Sequence, residues 1–328
     1  MRRGVWRGLA FGLTCLAALG AGGVQARPVE HVVYLLPAPE TAIVFAPFLL
    51  AQKGGLYARE GLDVSFVLVP GGMNVAAALA RGDGDLGGAV GDTAMQVRPK
   101  GALVRGVALL GHHAFLTLIT RQGLALDAGL RGREIDVPSL KDTSFYALSA
   151  LLGQMSLEEG AVKTQARPTD ALVDALGHGR IDGLVGTVDW GVRAERLGAK
   201  LDYRPLDTFY PALAQAILAS DATIKRRPQV VRRFLRATLA AMRSMQADPA
   251  RCAAAYEAAA PQSGFSRAEI TRVFSLLGQK VYGPVSGLGR FDPATMAAAG
   301  KANAALGLIP AGTEIGQSYT NALLPRGR

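Results

Sequence analysis

Residues 71–93 read Gly71-Gly72-Met73-Asn74-Val75-Ala76-Ala77-Ala78-Leu79-Ala80-Arg81-Gly82-Asp83-Gly84-Asp85-Leu86-Gly87-Gly88-Ala89-Val90-Gly91-Asp92-Thr93. The run predicts a loop over Gly71–Asn74, a helix over Val75–Arg81 stopped by Gly82, and a strand over Asp85–Val90. Gly91-Asp92-Thr93 then opens another helix. The pattern returns further along: Ala78, Leu79, Gly82, Asp85 and Asp92 are echoed at one constant spacing by Ala175, Leu176, Gly179, Asp182 and Asp189. Each copy is a helix, a glycine stop, a strand and a loop at the strand's carboxyl end. In open α/β sheets that end is where ligands sit. Two such units facing one another would line a cleft from both sides.

The alternation extends in both directions. His31–Leu36 and Leu62–Val69 read as strands, with the loop Pro37–Ala46 and a helix opened by Pro47 and closed by Gly54-Gly55 between them. Beyond the first unit, Glu134–Val137, Val162–Ala166 and Ile181–Val185 read as strands, separated by helices near 143–155 and 169–176. Asp189-Trp190 opens a helix ending near Gly198. Strand, loop and helix in this order imply parallel strands with crossovers. After Asp221 the pattern is almost wholly helical.

The 328 residues are 49% hydrophobic and 19% charged, ordinary values for a folded chain long enough for two domains. Arg2, Arg3 and Arg7 precede a short apolar run, Leu9–Gly20, and Val24-Gln25-Ala26 offers small residues for cleavage. This predicts a signal peptide over residues 1–26 and a periplasmic mature protein. Its removal takes three arginines and lowers the formal charge from +10 to +7. No aromatic–basic interleaving points to nucleic acid. Only Cys252 remains in the mature chain, so no intramolecular disulfide forms, and the residue types imply no metal and no cofactor.

Five loops leave strands and enter helices, and helix N-termini there can hold an anion without a metal. Thr93, Ser139, Thr143 and Ser144 add hydroxyls. N-capping alone would also account for Asp92, Thr93, Thr143 and Asp189. Trp190 suits either ligand stacking or the core, Phe45 either the site or a staple for the helix at Pro47, and Asp142 a plain surface charge.

Ala46–Tyr57 with Glu60-Gly61-Leu62-Asp63-Val64 resembles the opening of ABC-importer solute-binding proteins for nitrate, sulfonates, taurine and thiamine-precursor pyrimidines. Here Leu56 separates the glycine from Tyr57, where that family's pattern joins glycine to an aromatic. Gly71-Gly72, Leu130–Arg133 with Val137-Pro138, Arg227–Ala237 and Thr320-Asn321 before Leu323-Leu324-Pro325 match later elements of the same family. The resemblance implies a two-lobed type II periplasmic-binding fold, each lobe a mostly parallel sheet flanked by helices, with a helical C-terminal region. Lobe one is expected over 27–119 and 213–328, lobe two over 120–212. It implies a monomeric, non-enzymatic importer component that captures a small organic anion or a pyrimidine. Delivery would be to a membrane permease served by a separate ATPase chain. By the same resemblance the ligand contacts are Thr41, Phe45, Gly72, Met73, Asn74, Asp92, Thr93, Ser139, Thr143, Asp189 and Trp190. The rival readings are an enzyme on this fold, making pyrimidine or menaquinone precursors, and a sensor module presenting ligand to a receptor.

Overall fold

The computed structural model describes residues 28–140, 143–158 and 160–325; the expected signal peptide and Asp142 lie outside them. The chain opens with β1 (Glu30–Leu36), α1 (Ala46–Lys53), α2 (Leu56–Arg59), β2 (Leu62–Leu68), α3 (Gly72–Arg81), β3 (Leu86–Val90), α4 (Thr93–Val97) and β4 (Val104–Leu109). It continues with β5 (Thr117–Arg121), β6 (Ile135–Asp136), α5 (Thr143–Gln154), α6 (Thr169–Gly177), β7 (Gly183–Gly186), α7 (Val188–Arg196) and β8 (Leu201–Pro205). β9 (Gln215–Ser220) leads into α8 (Asp221–Arg226), α9 (Pro228–Ala247), α10 (Pro249–Ala259), α11 (Arg267–Leu277) and α12 (Pro293–Ala305).

Two sheets result, with strand orders β2-β1-β3-β9-β4 and β6-β7-β5-β8. Each is mostly parallel, as expected, with one strand reversed: β9 in the first sheet and β5 in the second. β1 pairs parallel with β2 and β3, and β6 parallel with β7. β9 runs antiparallel to β3 and β4, and β5 antiparallel to β7 and β8. The cause is that the chain leaves the first sheet after β4 and re-enters it at β9, so these strands are not reached by a crossover helix on the same sheet. Two local expectations change. Val162–Ala166 forms only isolated bridges at Lys163 and Ala166. Gly71–Asn74 is not all loop, because α3 already begins at Gly72.

Alternating residues divide the core. On β1, Val32, Tyr34 and Leu36 face the largest cluster, with Phe48, Tyr57 and Phe234, while Leu35 faces the cluster of Val75, Leu79, Met95 and Phe291. Ile119 and Leu184 of the second sheet join the largest cluster too, whereas Leu118 and Val185 meet Leu148 and Leu151. That largest core therefore runs from the first sheet to α6 and α7 on the second.

The sequence echo is structural. Gly82 and Gly179 both take left-handed φ, at 90° and 69°, a common way to end a helix that glycine adopts without strain. In the first unit Asp85 N–H donates to Val33 O at 2.9 Å, and Val33 N–H donates back to Asp85 Oδ2 at 2.9 Å. In the second, Asp182 N–H donates to Glu134 O at 2.8 Å, and Glu134 N–H to Asp182 Oδ2 at 3.0 Å. Each aspartate thus stitches its strand to the neighbouring one, and each also meets an arginine, Arg227 or Arg133.

Candidate functional site

Thr41, Gly72, Asp92 with Thr93, Ser139 with Thr143, and Asp189 with Trp190 all follow the carboxyl ends of strands: β1, β2, β3, β6 and β7 respectively. The structure brings Thr41 and Asp189 to a single cavity of about 390 Å³. The loop after β1 forms one wall with Thr41, Ala42 and Ile43; α7 forms another with Asp189, Arg193 and Arg196; Gly264 and Phe265, before α11, complete it. The cavity therefore lies between segments that belong to different sheets.

Asp189 stands in the first turn of α7, whose N-cap, Thr187, makes no side-chain cap bond. Its Oδ1 is buried and has no hydrogen-bond partner among the described residues. Burial pushes its carboxyl above the ordinary range, opposed by the Thr187 hydroxyl and by the charge of Arg193. Thr41 presents its carbonyl to Tyr256 Oη at 2.7 Å. Trp190 is half-buried and packs on the large core; its ring lies so close over Gly186 that a β-carbon there would collide with it.

Asp92 forms a second acidic point that does not line this cavity. It is 6% exposed and occupies the N-cap position of α4 without a capping bond. A side-chain capping bond therefore does not account for Asp92. Gln96 Nε2 donates to Asp92 Oδ2 at 3.1 Å and to Asn303 Oδ1 at 2.8 Å. Burial raises the Asp92 carboxyl, with Asn303 and Gln96 pulling it partly back. Tyr210, on the segment returning to the first sheet, has its phenol pushed up to about 12 by burial, then by the Asp92 carboxylate and the Tyr146 phenol. Tyr146 belongs to α5. Both sheets' segments thus converge on Asp92 as well.

The other expected contacts fall as follows. Gly72 lets the first turn of α3 lie flush on β3, since a β-carbon there would stand 2.8 Å from Ala89 Cβ and 3.6 Å from Thr93 Oγ1. Thr93 is buried beside it. Met73 is exposed, and Asn74 Nδ2 donates to Pro70 O at 2.7 Å. Phe45 is buried in the core with its ring centroid 6.4 Å from that of Phe48. Ser139 and Thr143 are half-buried before and at the start of α5. Sequence reasoning missed Tyr146, Tyr210 and Arg193; nothing in their local spacing marks them, because only the folded topology brings them to these loops.

Two strands of chain join the sheets, and they are tied together. Ala114 N–H and His113 Nδ1 meet the two carboxylate oxygens of Asp207 at 2.8 and 2.9 Å. Phe115 N–H donates to Leu213 O at 3.1 Å. Elsewhere α7 meets α11 through two ion pairs: Arg196 binds Glu269, and Arg272 binds Glu195 at 3.1 Å while lying over the Tyr203 ring.

Two sheets, a double crossing between them, and helix-opening loops that meet across an interlobe cavity define a two-lobed binding fold of the type II periplasmic class. The chain belongs to the NMT1/THI5 like family, whose model matches residues 42–252. It is 26% identical over 245 residues to the riboflavin-binding protein RibY of Chloroflexus aurantiacus, covering 71% of this chain and 68% of that one. Its fold is similar to that of the periplasmic aliphatic sulphonate binding protein SsuA from Escherichia coli, with TM-score 0.69 and 15% identity over 88% of this chain and 97% of the other. It is also similar to the periplasmic nitrate-binding protein NrtA from Synechocystis PCC 6803, with TM-score 0.63 and 13% identity over 90% and 87% of the two chains.

Proposed function

We propose that this chain is the extracytoplasmic solute-binding component of an ABC importer and that it performs no chemistry of its own. Residues 27–119 with 213–328 form one lobe and 120–212 the other, after loss of a leader over 1–26. A small organic anion or a pyrimidine-like heterocycle binds between them as a one-to-one complex with a monomer. The loaded protein then docks on a membrane permease whose ATPase is a separate chain. The observation that carries this reading is the cavity walled by Thr41 from one lobe and Asp189 from the other. A solute that touches both walls favours the closed arrangement by as much as it binds that state better.

The family and the named relatives support a solute-binding role, and the riboflavin-binding relative makes nitrogen heterocycles natural first probes. A thermal-shift screen of the chain from residue 27 tests the reading, with riboflavin, pyrimidines, nitrate, taurine and alkanesulfonates as probes. A solute at roughly 100 times its Kd stabilises by about 2.7 kcal/mol. A melting temperature that no probe moves would count against this function.

A further inference from the structure

A second concavity, of about 800 Å³, opens beside α9, a size that suits a small molecule. Arg236, Leu239 and Arg243 line one wall at i, i+3 and i+7, a single face of the helix, and residues 285–290 form the other. All the described lining residues follow β9, and none of them lines the cavity of Thr41 and Asp189, so an occupant here does not bridge the two sheets. Charge on these walls is unbalanced. Arg236 binds Glu60 at 2.6 Å, but Arg243 and Arg290 have no acidic partner among the described residues. The acid that follows Arg290 in sequence, Asp292, is taken up at the start of α12, where it accepts from Thr295 N–H at 2.8 Å and Thr295 Oγ1 at 2.9 Å. On the same rim the N–H groups of Ser286 and Gly287 and the Ser286 hydroxyl have no hydrogen-bond partner among the described residues. His112 packs against this loop, its Cε1 3.3 Å from where a Gly287 β-carbon would stand, and adds a base, not an acid. Much of the remaining lining is apolar: Leu239 and Leu288 are buried, and Val285 is 48% exposed.

We propose that this concavity is a second ligand site, for a small organic phosphate with an apolar body, separate from the solute of the interlobe cavity. Guanidinium groups grip phosphate oxygens in pairs, and Arg243 and Arg290 supply two that no carboxylate of the protein neutralises. A phosphate monoester brings a charge of about −1.5 to −2 and three acceptor oxygens, which matches two free cations with the Ser286 donors beside them; a carboxylate brings one charge and two oxygens. Val285, Leu288 and Leu324 cover the apolar part. The same phosphate chemistry occurs on lipid headgroups, but a concavity receives a free molecule, whereas a bilayer meets a flat or convex basic face.

Titration calorimetry of the chain from residue 27 with phenyl phosphate tests the site, alongside co-sedimentation with phosphatidylglycerol vesicles. Wild type is compared with Arg243→Gln and with the double variant Arg243→Gln, Arg290→Gln. The expected result is one-to-one binding of phenyl phosphate that weakens as salt rises, with no sedimentation on vesicles. The double variant lowers the affinity by about tenfold or more and the single variant by less, with melting temperatures unchanged because both side chains are exposed and unpaired. Trp190 emission, which reports the start of α7, stays constant through the titration, since the two cavities share no residue. Should the double variant fail to fold, Arg243→Gln carries the comparison. Absence of phenyl phosphate binding, binding indifferent to both variants, binding that shifts Trp190 emission, or binding to vesicles alone overturns the inference. Each of these leaves the solute-binding reading standing, because that reading is tested with other probes at the other cavity.

Discussion

Asp92 and Asp189 occupy corresponding points of the two echoed units, and burial raises both carboxyls above their ordinary value. A folded-state pKa above the unfolded one means that the native state binds the proton more tightly. Stability from such a group is therefore greatest at low pH and is lost as pH rises from the unfolded value, 3.8, through the raised folded one. Asp92→Asn removes this penalty while keeping an acceptor for Gln96. Urea melts of wild type and Asp92→Asn should converge near pH 4 and separate toward pH 8, with the variant the more stable. A variant less stable at pH 8 than at pH 5, relative to wild type, would mean that the Asp92 carboxylate is better solvated in the fold than its burial indicates.

At the scale of elements, the echo turns on two glycines. Gly82 is a left-handed terminator with open space around its Cα, whereas a β-carbon on Gly179 would strike the Arg121 guanidinium. Gly82→Ala should lower stability by about 1–2 kcal/mol, the cost of a left-handed alanine. Gly179→Ala should cost about the same, because the exposed Arg121 side chain it meets can swing aside; chemical denaturation of the two variants checks this, and a much larger loss at Gly179 would show that the guanidinium is held in place. These elements were legible from sequence because each depends on a local signal: a helix period, a glycine stop, an apolar strand. The C-terminal region was legible for the same reason, and the helical pattern expected after Asp221 is met by α8, α9, α10, α11 and α12. β4, β5, β8 and β9 escaped notice because their meaning is non-local. β9 is buried on every residue and is defined by its antiparallel partners β3 and β4, which no short window of sequence contains. The site was legible only in part. Thr41 and Asp189 share a cavity, but no residue of the first echoed unit lines it, and the sequence could not tell that Phe45 turns into the core or that Met73 and Asn74 begin a helix. The tyrosines near Asp92 come from α5 and the return crossing, which meet only in three dimensions.

For the molecule as a whole, two crossings carry the chain between the sheets, and Asp207 binds one to the other through Ala114 and His113. Any movement of the second sheet against α11 must part the α7–α11 ion pairs, Arg196 with Glu269 and Arg272 with Glu195. Burial alone would raise the Glu269 carboxyl, but Arg196 and Ser266 outweigh it and hold it below its usual range, so this clasp weakens as pH falls through that lowered value. Exposed pairs of this kind contribute roughly 1 kcal/mol or less each, weak enough for a bound solute to decide which arrangement prevails. The central claim is that solute sits between the two lobes, beside the start of α7. In the chain from residue 27, Trp190 is the sole tryptophan, and it stands next to Asp189 at that point. Titrating that chain with whichever solute raises its melting temperature and following Trp190 emission is the most direct measurement. The account predicts a saturable change with one-to-one stoichiometry and a Kd equal to that from calorimetry; a solute that binds with full calorimetric stoichiometry and leaves Trp190 emission untouched would contradict it.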